Sequence, residues 1–155
     1  MVHETSHEEV AVKLFTEGFN CAQSVFGAFG DATGLDRLTA MKLASSFGGG
    51  MGRLREVCGA VSGMFLVAGA LDGYDDPRNP ERRAEHYARI QDLAKRFREK
   101  TGSIVCRELL GLTQKSDPPT PEARTPEYYQ KRPCIDLVRL AAQITEVYLT
   151  ERKTV

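Results

Sequence analysis

The residue type with the most chemistry to offer in this chain is cysteine. The sequence contains four, Cys21, Cys58, Cys106 and Cys134. They are widely separated, with no Cys-x-x-Cys pair and no Cys/His knuckle, so their spacing alone is a weak signal for a metal site. Thiolates attack disulfides, and they also bind iron or zinc. The sequence therefore suggests either thiol redox catalysis or metal binding, with the same four residues in either role.

Each cysteine is predicted to lie near the start of a helix, because a capping residue, a proline or a glycine-rich run comes shortly before it. Free backbone N–H groups and the positive dipole end at a helix start favour a thiolate, and they equally suit a cluster sulfur. Apolar residues on the same helical faces indicate that the sulfurs point inward. Inert packing is the alternative, since free cysteine is often buried. Four matching positions favour a functional site.

Glycines flank the second cysteine on both sides. The run Gly48-Gly49-Gly50-Met51-Gly52 precedes Cys58, and Gly59 and Gly63 follow it. The run lacks the phosphate-binding Gly-x-x-x-x-Gly-Lys pattern and is predicted to be a tight interhelical turn. Gly59 and Gly63 form a small-residue face that suits either close helix packing or the approach of a cofactor or small substrate. On the thiol hypothesis Cys58 is the expected attacking thiolate and a second cysteine resolves the mixed disulfide.

The elements that position these residues are predicted to be helices. No period-two alternation lasts long enough to indicate a strand. Capping residues and glycine stops predict helices over about residues 6–17, 21–29, 39–47, 54–71, 80–101, 103–110 and 133–151. Residues 113–132 contain four prolines and are predicted to be an extended surface loop. We therefore expect a single all-α domain over residues 1–155, a bundle of about six or seven helices.

Composition disfavours several classes of function. The formal net charge is +0, which gives no field to attract nucleic acid or an anionic membrane. The longest apolar stretch, 57–71, is interrupted by glycines and is shorter than the roughly 20 residues that cross a bilayer. The N-terminal residues lack the pattern of a secretory signal, so a cytoplasmic, reducing location is expected. Of the histidines, His3 and His7 lie where fraying is expected, and His86 fits a core-edge position.

The sequence resembles the redox-active family labelled C_GCAxxG_C_C, small bacterial and archaeal proteins named for four cysteines. The label reads Gly-Cys-Ala where this chain reads Cys-Gly-Ala. The resemblance implies a redox role for the cysteines and a prokaryotic origin, but it implies no substrate. The matching segments span most of the chain: Gly18-Phe19-Asn20-Cys21-Ala22-Gln23, Phe47-Gly48-Gly49-Gly50-Met51-Gly52, Cys58-Gly59-Ala60-Val61-Ser62-Gly63, Cys106-Arg107-Glu108-Leu109-Leu110-Gly111 and Cys134.

Two functions from different classes follow. The first is a thiol redox protein whose partner is a small-molecule or protein thiol, or another electron partner. The second is a metal-binding or electron-transfer protein, in which four thiolates hold an iron–sulfur cluster or a structural zinc. The sequence does not separate the two, and it leaves assembly into a homo-oligomer open.

Overall fold

The computed structural model describes residues 4–154 as a bundle of helices. Within that range there is no β-strand, and the pairing of Val57 with Val105 is an isolated antiparallel bridge. None of the helices in the described range combines the length and the apolar character needed to cross a membrane. The helices are α1 (His7–Thr16), α2 (Cys21–Ala28), α3 (Gly30–Thr33), α4 (Arg37–Ala44), α5 (Gly59–Asp72), α6 (Pro80–Thr101), α7 (Cys106–Leu109), α8 (Pro126–Lys131) and α9 (Cys134–Lys153).

The all-α class predicted from the sequence is confirmed. The number of helices in residues 4–154 exceeds the predicted six or seven, because α3, α7 and α8 are short helices of one or two turns. Where the capping signals are strong, the predicted ends are accurate. Asn79 caps α6 by accepting a hydrogen bond from the Arg82 N–H at 3.1 Å, and Gly102 ends that helix with φ +89°.

The glycine-rich run forms a turn in which several residues have a left-handed backbone conformation. Gly49 and Gly50 have φ of +69° and +68°, although the Gly52 N–H still bonds the Gly48 carbonyl at 2.9 Å. Arg53 and Arg55 continue in the left-handed region at +68° and +58°. Non-glycine residues rarely adopt this conformation, so composition gave no warning of it. The helix predicted from residue 54 was therefore wrong at its start, since α5 begins only at Gly59.

The core is built on α2, which packs against α1 on one side and α5 on another, while α1 also lies along α9. The contact between α2 and α5 is unusually close. A side chain at Gly63 would place its Cβ 2.9 Å from the Ala22 carbonyl and from the Cβ of Val25. Gly63 is therefore required for the approach of the two helices, and this approach places the start of α5 against the start of α2.

Residues 113–132, here called the strap, differ from the extended loop predicted from their prolines. The strap contains α8, which Thr125 caps by accepting the Tyr128 N–H at 3.2 Å and which Pro126 opens at the first helical position. Proline is well suited to that position because it has no N–H to leave unpaired. The prediction of an uninterrupted loop was wrong for this segment.

Candidate thiol site

The four cysteines line one cavity of about 60 Å³. Cys21, Cys106 and Cys134 are the first residues of α2, α7 and α9, and Cys58 is the N-cap residue of α5. All four therefore occupy helix starts, as their sequence contexts predicted. Their chemical role stays a prediction at this point, since proximity alone does not distinguish a reactive site from an apolar core.

A short pair of backbone hydrogen bonds holds two of these helix starts together. The Cys58 N–H donates to the Ile104 carbonyl at 2.8 Å, and the Cys106 N–H donates to the Glu56 carbonyl at 2.6 Å. The chain segments before α5 and α7 thus run antiparallel for a few residues. This pairing fixes Cys58 and Cys106 relative to each other without any covalent link.

Glycines form part of the cavity wall because a side chain would not fit there. A Cβ on Gly50 would lie 2.6 Å from the Cβ of Cys106, and one on Gly59 would lie 3.1 Å from the Cβ of Cys21. Gly59 lines the cavity. Gly63 instead faces α2. A cofactor-binding role for Gly59 and Gly63 remains a prediction, and the contacts of Gly63 are those of helix packing.

Arg55 is a buried cation in this site that the sequence did not single out as functional. It is 5% exposed, and its Nε donates to Asp117 Oδ2 of the strap at 2.6 Å. Its Nη1 lies 3.6 Å from Cys106 Sγ, within hydrogen-bond reach of a sulfur. Burial raises the pKa of Cys106, and the Arg55 guanidinium opposes that rise. Arg55 therefore connects a cysteine of the cavity to the strap that covers it.

Cys58 lies in an environment that disfavours the thiolate, contrary to the expectation that it would be the attacking thiolate. It is 4% exposed, and desolvation by burial raises the pKa of Cys58 to about 12, although the backbone amides of Val61 and Ala60 act in the opposite direction. The helix start is present as expected, but removal from water has the larger effect. The lowered pKa predicted for Cys58 is therefore wrong.

Cys134 is the thiol whose surroundings favour ionisation. The neighbouring Cys21 thiol has the largest effect and lowers the pKa of Cys134. Burial opposes this, but the positive charges of Arg132, Arg124 and Arg55 act in the same direction as Cys21. The proximity of Cys134, followed by burial, raises the pKa of Cys21 well above its ordinary value. Of these two thiols, Cys134 is therefore the one that ionises more readily.

The strap forms the outer wall of the cavity through Arg124 and Tyr128. Arg124 donates to the carbonyls of Phe15 and Phe19 at 3.0 and 3.1 Å, and its guanidinium lies over the Phe15 ring at 4.3 Å from the ring centre. These contacts tie the strap to the turn between α1 and α2. Three of the four cysteines are consequently buried, with Cys134 8% exposed.

The alternative role of these cysteines, holding a metal, gains no support from the spacing of their side chains. Across residues 4–154 no group of three or more Cys, His, Asp or Glu side chains is spaced to share an ion. The Arg55 guanidinium lies beside Cys106 Sγ. The iron–sulfur cluster and the structural zinc therefore stay predictions from the sequence.

Comparison with known proteins agrees with the four-cysteine arrangement. A family model described as "Putative redox-active protein (C_GCAxxG_C_C)" matches residues 19–148, a range that includes all four cysteines. The chain belongs to this family. This chain is also 30% identical over 151 residues to a protein of Archaeoglobus fulgidus whose name assigns no function, with 93% of each chain covered. No solved structure matches the chain.

Proposed function

We propose that this protein is a dithiol oxidoreductase in which Cys134 is the attacking thiolate and Cys21 is the resolving thiol. The observation that carries the proposal is that Cys21 and Cys134, each the first residue of its helix, line one small cavity, where the two thiols shift each other's pKa in opposite directions. A paired thiolate and thiol are what thiol–disulfide exchange requires. The redox-active description of the family supports the same class of chemistry.

The position of Cys134 in the fold also supports its role. It is the first residue of α9, a helix of 20 residues, so its sulfur lies at the positive end of a long helix dipole. Cys21 begins a helix of eight residues. Arg132 and Arg124 add positive charge near Cys134. Thiolates at helix starts beside arginine are the reactive cysteines of proteins.

The proposed cycle begins with reduced protein and a substrate that contains an S–S bond. The Cys134 thiolate attacks one sulfur, so that a Cys134–substrate bond forms, the substrate S–S bond breaks and the leaving sulfur departs as a thiolate. Cys21 then loses its proton to the solvent or to the departing thiolate and attacks Cys134 Sγ. The products are a Cys21–Cys134 disulfide and a second substrate thiol. Two electrons pass to the substrate, and an external dithiol, as expected in the reducing cytoplasm, regenerates the pair.

Alkylation of the reduced protein by iodoacetamide near neutral pH tests this assignment. Peptide mapping should show Cys134 as the fastest residue to react, because only a thiolate attacks the reagent. Cys134→Ser should remove the fast phase. Cys58→Ser should leave it intact, since burial keeps the Cys58 thiol protonated. A fast phase that belongs to Cys58, or four thiols that react only at the rate of unfolding, would contradict the proposal.

Mild oxidation of the reduced protein provides the second half of the test. A thiol oxidant such as diamide should give one intramolecular disulfide that mass mapping assigns to Cys21 and Cys134. Both Cys21→Ser and Cys134→Ser should abolish this product, whereas Cys106→Ser should not. A disulfide between Cys58 and Cys106 as the main product would transfer the redox function to that pair.

A further inference from the structure

The cavity that holds the proposed dithiol is small and its charged wall residues are cationic. Its volume of about 60 Å³ is enough for roughly four to six water molecules. Binding sites for organic ligands usually exceed about 300 Å³. The glycine contacts described above limit its expansion on one side. A substrate therefore reaches Cys134 with only a few atoms, unless the strap opens.

The charged residues that line the cavity determine whether an anionic or a cationic group binds there. Among the described residues that line the cavity there is no carboxylate, whereas Arg55 and Arg124 both line it. Arg55 is paired with Asp117. Arg124 donates to backbone carbonyls and forms no ion pair with a carboxylate of residues 4–154, so its charge acts on the Cys134 sulfur and on an anion that enters the cavity. The cavity therefore favours a small anion over a neutral or cationic group.

From these two properties we infer that the substrate is a small inorganic sulfane-sulfur anion, a hydrodisulfide or polysulfide, rather than an organic or protein disulfide. This inference rests on the proposed dithiol function and narrows its substrate class. Such an anion consists of a few atoms, carries negative charge, and contains the S–S bond that a dithiol can reduce.

The reaction balances with the two thiols of the site. The Cys134 thiolate attacks the sulfane sulfur of HSS⁻, so that the Cys134–S bond forms, the S–S bond of HSS⁻ breaks and HS⁻ leaves. Cys134 now carries a persulfide anion. Cys21 transfers its proton to the outer sulfur and attacks Cys134 Sγ, and a second HS⁻ leaves. One HSS⁻ is reduced to two HS⁻ by two electrons, while the two thiols become a Cys21–Cys134 disulfide.

Single-turnover rates with two oxidants test the substrate class. Reduced protein, freed of reductant, is mixed with sodium tetrasulfide or with oxidised glutathione, and each rate is divided by that of N-acetylcysteine with the same reagent. The normalised rate should be at least about tenfold higher for tetrasulfide, because glutathione disulfide far exceeds the cavity. Sulfide release should accompany formation of the disulfide. In Cys21→Ser, mass analysis should find one added sulfur on Cys134.

The outcomes separate this inference from the function on which it rests. If oxidised glutathione gives the same or a higher normalised rate, the sulfane-sulfur assignment is overturned while the dithiol function stands. If neither reagent oxidises the Cys21–Cys134 pair, both are overturned.

A pair of alkylating agents isolates the role of charge. Iodoacetate is an anion and iodoacetamide is neutral, so the ratio of their rates at Cys134 reports attraction of an anion independently of how much thiolate is present. Arg124→Gln should lower this ratio by about tenfold, since the charge lies close to the reacting sulfur. Arg98→Gln, on the exposed face of α6, should leave it unchanged. An unchanged ratio in Arg124→Gln would overturn the anion preference.

Discussion

At the scale of single residues, four identical side chains differ because of what lies beside each one. Cys58 and Cys134 both begin helices, but Cys58 has neighbours that exclude water without supplying charge. Cys134 has the Cys21 thiol and the positive charges of three arginines acting on it. Helix position alone therefore does not determine reactivity. The sequence predicted a helix start for each of the four cysteines, but it did not predict the difference in pKa between Cys58 and Cys134, because Cys21 and Arg55 come from distant segments.

The buried Arg55–Asp117 pair gives the first prediction at this scale. Asp117→Asn removes the carboxylate and leaves the Arg55 guanidinium buried with only Cys106 near it. Since the buried guanidinium of Arg55 loses its charged partner, we expect a loss of stability in urea unfolding that exceeds the effect of breaking a surface pair. Alkylation of Cys106 should also become faster at a pH of about 8. Without the carboxylate of Asp117, the positive charge of Arg55 is no longer partly neutralised, and it favours the Cys106 thiolate more strongly.

A surface pair serves as the matched control for this substitution. Asp92 lies 2.8 Å from Arg96 on the outside of α6. Asp92→Asn should change the unfolding free energy by less than about 1 kcal/mol, as exposed pairs contribute little. Equal losses in the two variants would mean that the Arg55–Asp117 pair has no special place in the site.

At the scale of elements, the close contact between α2 and α5 is what brings two cysteines together. Gly59 and Gly63 lie on one face of α5 and both meet the start of α2. Gly69 belongs to the same helix, but no atom lies within 4 Å of where its Cβ would be. The helix therefore provides two kinds of glycine, one that packing requires and one that it does not.

Alanine substitutions at these two kinds of position should have opposite effects. Gly63→Ala should destabilise the protein by about 1–3 kcal/mol, because its Cβ would press on the backbone of α2. Gly69→Ala should stabilise it by about 0.5–1 kcal/mol, since alanine is the better helix former and has free space. Chemical denaturation of both variants measures the difference. Similar effects at the two positions would show that α2 and α5 are not in tight contact.

Elements defined by local signals were predictable, and those defined by distant contacts were not. The ends of α6 follow from an asparagine cap, a proline and a glycine, all adjacent in sequence to the helix that they bound. The start of α5 was misplaced because Arg53 and Arg55 adopt left-handed conformations, which the pairing of residues 56–58 with 104–106 stabilises. The strap was predicted to be a loop because it contains four prolines, although one of them, Pro126, is the first residue of α8. Its role as a wall of the cavity depends on Arg124 contacts across the fold.

At the scale of the whole molecule, His7 joins the first and last helices. Its ring on α1 bonds Glu146 on α9 through Nδ1 and Asp31 on α3 through Nε2, the latter at 2.9 Å, and it stacks on Phe29 with centroids 4.3 Å apart. The sequence predicted that His3 and His7 lie in a frayed terminus. The prediction is wrong for His7, which begins α1 and has these partners, and His3 lies outside the described residues. Nothing local to His7 pointed to partners that come from two other helices.

This junction predicts a pH dependence of stability. Burial of the ring opposes its protonation, but the hydrogen bonds and charges of Asp31 and Glu146 outweigh burial and raise the pKa of His7. A raised folded-state pKa contributes stability that is fully present below the unfolded value of about 6.5 and is lost as the pH rises through the folded value. His7→Gln should therefore be more destabilising at about pH 5.5 than at about pH 9. An equal loss at both pH values in urea titrations would rule out this contribution.

The distance in sequence between Cys21 and Cys134 has a consequence for the whole molecule when the pair is oxidised. The disulfide of the proposed cycle closes a covalent loop of about a hundred residues, which restricts the unfolded chain and leaves the folded chain almost unaffected. Loops of that length contribute about 4–5 kcal/mol in the chain-entropy model. Folding and disulfide formation are linked in one thermodynamic cycle. Folding therefore increases the effective concentration of one sulfur at the other by the factor that corresponds to this free energy. The gain in folding stability on oxidation therefore equals the free energy by which folding favours disulfide formation, and this second free energy contributes to the reducing power of the dithiol. The melting temperature should rise on oxidation in the parent protein and stay constant in Cys21→Ser.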